Sequence, residues 1–153
     1  MKVDVLIIGA GAAGLLCAST AGARGKKTIV IDHAKRPGKK ILISGGGRCN
    51  FTNYYIEPEK FICKNPHFCK SALSQYTQWD FIALVEKYNI EYHEKTLGQL
   101  FCDDSAKDIV SMLMTECESN DVEFSFQTDV VKVSKTETGY KVETNKETID
   151  CES

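Results

Sequence analysis

Three glycines spaced as Gly9-x-Gly11-x-x-Gly14 constrain this chain of 153 residues more than any other feature of its sequence. The apolar, β-branched segment 3–8 precedes them and predicts a buried strand of a parallel sheet. The segment 12–24, rich in alanine and leucine, follows them and predicts a tightly packed helix. A strand, a glycine turn and a helix in this order predict a right-handed β-α-β unit.

The second strand of this unit is predicted over residues 28–31 and is followed by Asp32. Asp32 stands 18 positions after Gly14, close to the offset of about 20 at which dinucleotide-binding folds place a ribose-binding carboxylate. Its negative charge favours FAD or NAD over NADP, and the glycine turn with the start of the helix predicts a pyrophosphate site. The residues predicted to bind the nucleotide here are Gly9, Gly11, Ala12, Ala13, Gly14, Asp32 and His33.

A second glycine cluster, Ser44-Gly45-Gly46-Gly47-Arg48-Cys49-Asn50, lies in a long segment without a clear period. Three adjacent glycines lose much conformational entropy when they are ordered. A backbone that approaches a planar ring or an anion would account for them, because consecutive N–H groups form anion-binding nests. Arg48 is a candidate to neutralise a pyrophosphate or orient a substrate, Cys49 to pack beside a flavin, and Asn50 to bond the ring edge. The alternative is a flexible surface linker.

The composition, with 42% hydrophobic and 26% charged residues, is typical of a globular domain. The 19 basic and 21 acidic residues give a net charge of −2, which predicts neither a nucleic-acid nor a membrane partner. Seven cysteines without a C-x-x-C spacing predict reduced thiols, no disulfide scaffold and no metal site. The chain has no apolar run of 18 residues, and Asp4 and the glycines interrupt its N-terminal apolar segment, so a cytoplasmic location is expected.

The rest of the chain predicts further helices and short strands. Helices are expected over about 66–76, over about 79–88 and from Ser105, where Asp108 would complete a capping box. Tyr76, Trp79 and Phe81 are expected to pack in the core or between helices. Strands are expected over residues 90–93, 122–126, 130–133, 140–142 and 148–151.

The two glycine clusters together resemble a known family. Gly9–Gly14 and the string G-K-K-x-x-x-S-G-G-G-R-C-N-x-T-N, which spans Gly38–Asn53, look like the HI0933-like bacterial flavoproteins. These are NAD(P)/FAD-dependent oxidoreductases, some of which carry the name aminoacetone oxidase family FAD-binding enzyme. The resemblance runs through the rest of the chain.

This resemblance implies an α/β fold, a Rossmann-like FAD-binding domain over residues 1–153 with a parallel sheet, a helical insertion and a small antiparallel β element. FAD would lie extended, with its adenosine at Asp32, its pyrophosphate over Gly11–Gly14 and its flavin toward the second glycine cluster. Lys40 is a candidate contact to phosphate or ribose, and Val130 and Val131 match a segment that contacts adenine through its backbone. The cofactor-binding residues implied in this way are Lys40, Ser44, Gly45, Gly46, Gly47, Arg48, Cys49, Asn50, Val130 and Val131.

The function implied is the FAD-binding portion of an oxidoreductase that passes a hydride or electron pair through the flavin, with NAD(P)H as a candidate donor. Family chains are longer, so a chain truncated at its C-terminus, without a substrate-side domain, is expected. The sequence assigns no catalytic residue, substrate or oligomeric state. Two alternatives stay open, namely a non-catalytic nucleotide-binding fragment and an NAD-binding Rossmann domain.

Overall fold

A computed structural model describes residues 1–153. The helices are α1 (Ala12–Ala23), α2 (Lys39–Ile43), α3 (Lys70–Gln75), α4 (Gln78–Lys87) and α5 (Ala106–Glu118). The strands are β1 (Lys2–Val3), β2 (Val5–Ile8), β3 (Thr28–Asp32), β4 (Asn50–Asn53), β5 (Tyr92–Glu94), β6 (Gln99–Cys102), β7 (Glu123–Phe126), β8 (Val130–Lys135), β9 (Tyr140–Thr144) and β10 (Thr148–Cys151). The chain forms two compact units, the first from residues 1–41 and 110–153 and the second from residues 42–109.

The first unit contains a parallel three-stranded sheet in the order β2-β3-β7. The central strand β3 is buried from Thr28 to Ile31, as its continuous apolar sequence predicts. The register places Ile8 opposite Ile31 and Asp32 opposite Phe126. The predicted β-α-β unit is therefore confirmed, and Asp32 lies at the carboxyl end of the central strand.

Asp4 divides the predicted strand 3–8 into two strands. Its carboxylate accepts a hydrogen bond from the N–H of Lys27 at 2.7 Å, and its backbone oxygen accepts from the N–H groups of Glu152 and Ser153. Before Asp4, β1 pairs with β10, and after it, β2 pairs with β3. The prediction of one continuous strand was wrong because a short polar side chain bonds neighbouring backbone at this point.

The second sheet of this unit has the order β1-β10-β9-β8, and β8, β9 and β10 are antiparallel. The small antiparallel element near the end of the sequence is thus confirmed. The two sheets share a buried cluster that consists of Val3, Ile29, Ile31, Val142, Ile149 and Cys151. Burial of these side chains contributes to the hydrophobic stabilisation of the unit.

Small residues let α1 approach its neighbours closely. A Cβ on Gly22 would lie 2.4 Å from the backbone oxygen of Asn120, just after α5. The thiol of Cys117 in α5 is fully buried and donates to the backbone oxygen of Leu15 at 3.2 Å. The segment predicted to be a tightly packed helix is confirmed.

The second unit is built on an antiparallel sheet in the order β4-β6-β5. The central strand β6 buries Leu100, Phe101 and Cys102. Helix α4 begins with a reciprocal capping box between Thr77 and Asp80 and buries Val85. The sequence prediction included no strand at β4 or β6, because each has only four residues, too few to show a clear period.

The aromatic residues near α3 and α4 correct another expectation. The helix predicted over 66–76 spans only Lys70–Gln75. Trp79 is 57% exposed and Tyr76 is 40% exposed, whereas Phe81 is less exposed and packs with its centroid 6.0 Å from that of Phe51. Tyr76 and Trp79 are therefore surface residues and not core residues. No helix in the chain is both long and apolar enough to span a membrane.

Gly22→Ala tests the close approach of α1. Alanine has the higher helix propensity by about 1 kcal/mol, but the added Cβ overlaps the Asn120 carbonyl. Overpacking of this kind costs about 1–3 kcal/mol, so we expect a lower free energy of unfolding in a urea titration followed by circular dichroism. The exposed Cys17 on the same helix supplies the control Cys17→Ala, which should change stability by less than about 0.5 kcal/mol. Equal or higher stability of Gly22→Ala would contradict the contact.

Candidate dinucleotide-binding site

The glycine turn connects the end of β2 to the start of α1. Gly9 has a φ of +109°, a conformation that side chains disfavour, and its N–H donates to the backbone oxygen of Ile31 at 2.8 Å. Gly11 is the N-cap residue of α1, where no side chain caps the helix and no acidic residue lies in the first turn. The N–H groups of that first turn have no acceptor within the helix, so they and the helix dipole can attract an anion.

The absence of a side chain has different consequences at Gly11 and at Gly14, the two later glycines of the motif. A Cβ on Gly14 would lie 1.9 Å from the backbone oxygen of Gly9, so the helix can pack against the turn only with glycine at this position. A Cβ on Gly11 would meet no protein atom within 4 Å, and the backbone there has ordinary angles. Packing within the protein therefore requires Gly14 but does not require Gly11.

The carboxylate of Asp32 ties this turn to the end of β3. Its Oδ2 accepts from the N–H of Ala10 and its Oδ1 from the N–H of Ala34, both at 2.7 Å. Its side chain is 14% exposed. Each carboxylate oxygen has a second lone pair, so Asp32 can accept one further hydrogen bond at each.

Asp32 is charged at neutral pH. Burial acts to raise its pKa, but the N–H groups of Ala34 and Ala10 and the adjacent His33 favour the carboxylate, and the net effect is a pKa below the ordinary value. The Nδ1 of the exposed His33 lies 3.5 Å from Oδ1 of Asp32. The hydrogen bonds around Asp32 therefore stabilise the negative charge that the sequence predicts at this position.

A cavity of about 250 Å³ opens beside Asp32. Its lining combines strand ends, the glycine turn and the segment between β7 and β8, namely Ile8, Gly9, Ile31, Asp32, His33, Thr128, Asp129 and Val130. Complete small-molecule sites occupy about 300–1,000 Å³. The cavity is thus large enough for one end of a dinucleotide and too small for a whole one.

The segment between β7 and β8 supplies lining residues that the sequence analysis missed. The buried Thr128 donates its N–H to the backbone oxygen of Asp32 at 2.9 Å, and its hydroxyl lies 2.8 Å from that of Ser125. The N–H of Asp129 donates to the side chain of Asn145 at 2.9 Å. The signal that could have identified them is their position just before Val130. Val131, by contrast, is 69% exposed and does not line the cavity.

The second glycine cluster lies in the second unit and has a defined left-handed conformation. Gly45, Gly46 and Gly47 have φ values of 57°, 68° and 88°. A Cβ on Gly45 would lie 2.7 Å from the ring of Phe101. The N–H of Cys49 donates to the backbone oxygen of Ser44 at 3.1 Å. These bonds and contacts define an ordered turn, in contrast to a flexible linker.

The residues that follow these glycines join the turn to β6. The backbone oxygen of Arg48 accepts from the N–H of Cys102 at 2.9 Å, and the Arg48 side chain is exposed. Burial raises the pKa of the Cys49 thiol, although a hydrogen bond with Ser44 opposes it. Burial, with Cys49 nearby, raises the pKa of Cys102 to about 12. Both cysteines are therefore protonated thiols at neutral pH. The side-chain amide nitrogen of Asn50 faces the backbone oxygens of Thr52 and Leu100. It donates a hydrogen bond to each of them at 3.1 Å.

The structure brings together some of the predicted site residues. Gly9, Asp32, His33 and Val130 line one cavity. Gly11, Ala12, Ala13 and Gly14 form the N-cap and first turn of α1. Lys40 is exposed on α2. Ser44–Asn50 belongs to the second unit.

Parallel strands, a glycine turn at a helix start and a carboxylate at the next strand end define a dinucleotide-binding domain of the Rossmann class. The chain matches the family described as HI0933-like protein Rossmann domain over residues 3–153 and belongs to that family. The match accounts for nearly the whole sequence.

Two curated relatives carry the name ribosomal RNA dihydrouridine synthase. The Escherichia coli (strain K12) protein is 57% identical over 151 residues, which are 99% of this chain and 38% of that protein. The Haemophilus influenzae protein is 50% identical over 137 residues, which are 90% of this chain and 34% of that protein. The chain thus spans between a third and two fifths of the length of these relatives.

A solved structure shows the same fold at low sequence identity. Glycine oxidase from Geobacillus kaustophilus matches with a TM-score of 0.59 and 13% identity, over 99% of this chain and 54% of that one. At this identity the likeness bears on the fold alone.

The pH dependence of stability tests the environment of Asp32. Because its folded-state pKa is lowered, its charge stabilises the folded state above the unfolded pKa, and this stabilisation is lost as the pH falls through the folded pKa. We expect Asp32→Asn to be less stable than the unsubstituted protein near neutral pH, with a difference that shrinks below about pH 4. Urea titrations at several pH values measure it. A difference for Asp32→Asn that stays constant over this pH range would contradict the assignment.

Proposed function

We propose that this chain binds FAD at the turn between β2 and α1 and forms the cofactor-binding part of an oxidoreductase that reduces uridine in ribosomal RNA. The observation that carries the cofactor proposal is the charged Asp32 carboxylate, held beside the cavity by the N–H groups of Ala10 and Ala34. The RNA substrate rests on the name of the relative with 57% identity. The activity of a whole enzyme is proposed on that basis.

The adenosine half of FAD is assigned to the cavity of the first unit. The free lone pairs of Asp32 would accept the two ribose hydroxyls. The carboxylate would repel a 2′-phosphate, which favours FAD or NAD over NADP at this position. Val130 lines the cavity and offers backbone N–H and C=O groups to the adenine. His33, which is exposed on the rim, can cover one face of the nucleoside.

The pyrophosphate is assigned to the start of α1. The uncapped N–H groups of Ala12, Ala13 and Gly14 favour an anion there through hydrogen bonds and the helix dipole. Gly11 leaves open space on its Cα, which a phosphate can approach without a steric clash. Gly11 is the motif glycine that neither packing nor a positive φ requires, and a role in binding accounts for it.

The flavin side is assigned to the second glycine cluster on the basis of the family resemblance. The left-handed turn from Ser44 presents successive N–H groups, which suit an anion or the polar edge of a ring. Arg48 adds an exposed positive charge, and Lys40 is proposed as a phosphate or ribose contact. Cys49 is a buried thiol with a raised pKa, so we assign it a packing role and no redox role.

The chemistry proposed is the transfer of a hydride, which bound FAD would supply once the electron donor has reduced it. Uridine and dihydrouridine differ by two hydrogens across one double bond, so the reaction needs a hydride and a proton. NAD(P)H is proposed as the source of electrons. The residues of this chain bind and orient the cofactor, and none is assigned as the proton donor.

An RNA substrate departs from the expectation drawn from the net charge. A charge of −2 over 153 residues is an average, whereas an RNA responds to the local potential at the surface that it contacts. The balanced total therefore does not decide whether one face of the chain carries positive charge.

Retention of FAD tests the cofactor proposal directly. The purified protein is mixed with FAD, desalted and scanned for flavin absorbance, with circular dichroism as the control for folding. Flavin that stays with the folded protein supports the proposal. A folded protein that releases FAD but binds NAD in a titration would support the NAD-binding alternative. If the folded protein retains FAD but neither NADH nor NADPH reduces the bound flavin, the result would favour the non-catalytic nucleotide-binding fragment.

Gly11→Val tests the assignment of the pyrophosphate. The valine side chain would occupy the open space at this Cα, so we expect FAD affinity to fall about tenfold or more, measured by equilibrium dialysis. Folding should be retained because no protein atom lies within 4 Å of the new Cβ. The exposed Thr20 on the same helix provides the control Thr20→Val, which adds no group near the turn. Unchanged affinity in Gly11→Val would contradict the assignment.

A further inference from the structure

The second unit exposes an unusual concentration of large apolar side chains. Six of the thirteen exposed large hydrophobic residues of the chain fall between positions 55 and 79. These six are Tyr55, Phe61, Ile62, Phe68, Tyr76 and Trp79, and their exposure ranges from 40% to 99%. A concentration of exposed apolar groups is a common mark of an interaction site. Five of the six, all except Ile62, have aromatic rings suited to stacking beyond simple apolar contact.

The same segment carries local positive charge. Glu57 and Glu59 are the acidic residues of the segment 53–79, and no aspartate or glutamate occurs from Lys60 to Trp79, although the chain as a whole has a net charge of −2. Lys60 is paired with Glu57 at 3.8 Å. Lys64 and Lys70 are exposed and provide two positive charges in the same segment of the chain. Charge of this sign beside exposed rings complements a polyanion with flat apolar groups.

Hydrogen bonds and ring contacts hold this surface together. The ring of Tyr54 stacks on that of Trp79 with a centroid distance of 5.6 Å and an interplanar angle of 27°. The side chain of Gln78 donates to the backbone oxygen of Tyr54 at 3.1 Å. The thiol of Cys69 contacts the backbone oxygen of Pro58 at 3.8 Å. Residues of α3, α4 and the segment after β4 are thereby joined.

A cavity of about 670 Å³ lies within this surface. Its lining is apolar, aromatic and polar with one carboxylate, and consists of Asn53, Tyr55, Ile56, Glu57, Lys60, Phe61 and Leu97. This volume lies within the usual range of about 300–1,000 Å³ for small-molecule sites. The side chain of Asn53 accepts from the N–H of Tyr55 at 2.7 Å and donates to the backbone oxygen of Leu97 at 2.8 Å. One wall of the cavity is therefore fixed by hydrogen bonds.

Gly98 allows the ring of Tyr55 to lie against the backbone. A Cβ at Gly98 would lie 2.5 Å from that ring, and Gly98 has a φ of +78°. Tyr55 remains 63% exposed, so one part of its ring contacts protein and another part can stack on a ligand. Phe61, which is 44% exposed, contributes a second ring to the same cavity.

We propose that this aromatic–basic surface, made of residues 53–79 with Leu97, binds single-stranded RNA. An unpaired base would enter the cavity and contact the rings of Tyr55 and Phe61, and the phosphates would lie near Lys64 and Lys70. Proteins recognise unpaired RNA by stacking bases on aromatic side chains and by pairing phosphates with lysines. The inference rests on the proposed function, because the name of the relatives supplies RNA as the polyanion. It adds which face of the chain contacts the substrate.

Fluorescence anisotropy with a short labelled oligouridylate tests this proposal, and the protein is used without FAD. We expect the single strand to bind more tightly than the same strand annealed to its complement, because duplex bases cannot enter the cavity. Tyr55→Ala should weaken binding about 5- to 100-fold, the range found for the loss of one base stack. The control is Tyr140→Ala, at a tyrosine that is 39% exposed in the first unit and should leave binding unchanged.

The salt dependence of RNA affinity tests the contribution of Lys64 and Lys70 separately. Lys64→Gln and Lys70→Gln should each reduce the slope of log affinity against log salt by about 0.7, as expected for one phosphate contact to a single strand. Lys132→Gln, at an exposed position of β8, is the matched control and should leave the slope unchanged. Phe68→Ser, at a side chain that is 80% exposed, removes a ring with little effect on folding and is the second aromatic variant.

The outcomes separate this proposal from the proposed function. Absence of RNA binding, or equal binding by Tyr55→Ala, Phe68→Ser and the unsubstituted protein, overturns the RNA surface even when FAD is retained. RNA binding by a folded protein that does not retain FAD contradicts the cofactor proposal and supports the surface. Self-association that Tyr55→Ala abolishes, without RNA binding, would show that the surface binds a second copy of the chain and would overturn the proposal.

Discussion

The carboxylate of Asp32 is the interaction on which the arrangement of the candidate site depends. It joins the N–H of Ala10, in the turn after β2, to the N–H of Ala34, just after β3. The carboxyl ends of two parallel strands are thereby fixed relative to each other, and the start of α1 is fixed with them. The residue that we propose to contact the ribose is thus also the one that shapes the turn for the pyrophosphate. Binding and local structure share one charged group, and this explains why its pKa is lowered before any ligand is present.

The sequence was sufficient for the parts of the fold that rest on local rules. The glycine spacing, the apolar strand 28–31 and the offset of Asp32 predicted the β-α-β unit, because each of these features reflects a backbone or packing constraint within a few residues. Asp4 shows the limit of this reasoning. A continuous apolar pattern does not reveal that a side chain bonds Lys27 and redirects the strand into another sheet.

The candidate site was predictable to a similar extent. Gly9, Asp32, His33 and Val130 line one cavity, whereas Thr128 and Asp129 were missed because their place depends on a segment about 100 residues after β3. The exposure of Tyr76 and Trp79 was also missed, because an aromatic residue at helical spacing is compatible with a core or with a surface. Only the neighbours in three dimensions decide between the two, and here they leave both rings accessible.

The pairing of β1 with β10 has a consequence for the order in which the protein can fold. The first strand of the sequence bonds the last one, with Lys2 opposite Asp150, and the first unit is interrupted by residues 42–109. On the ribosome, β1 therefore remains without its partner until β10, at Thr148–Cys151, has been synthesised. The second unit is continuous in sequence and its strands pair over short separations, so it can form earlier. During translation, the pairing of β1 with β10 is thus expected to form after the unit inserted between them.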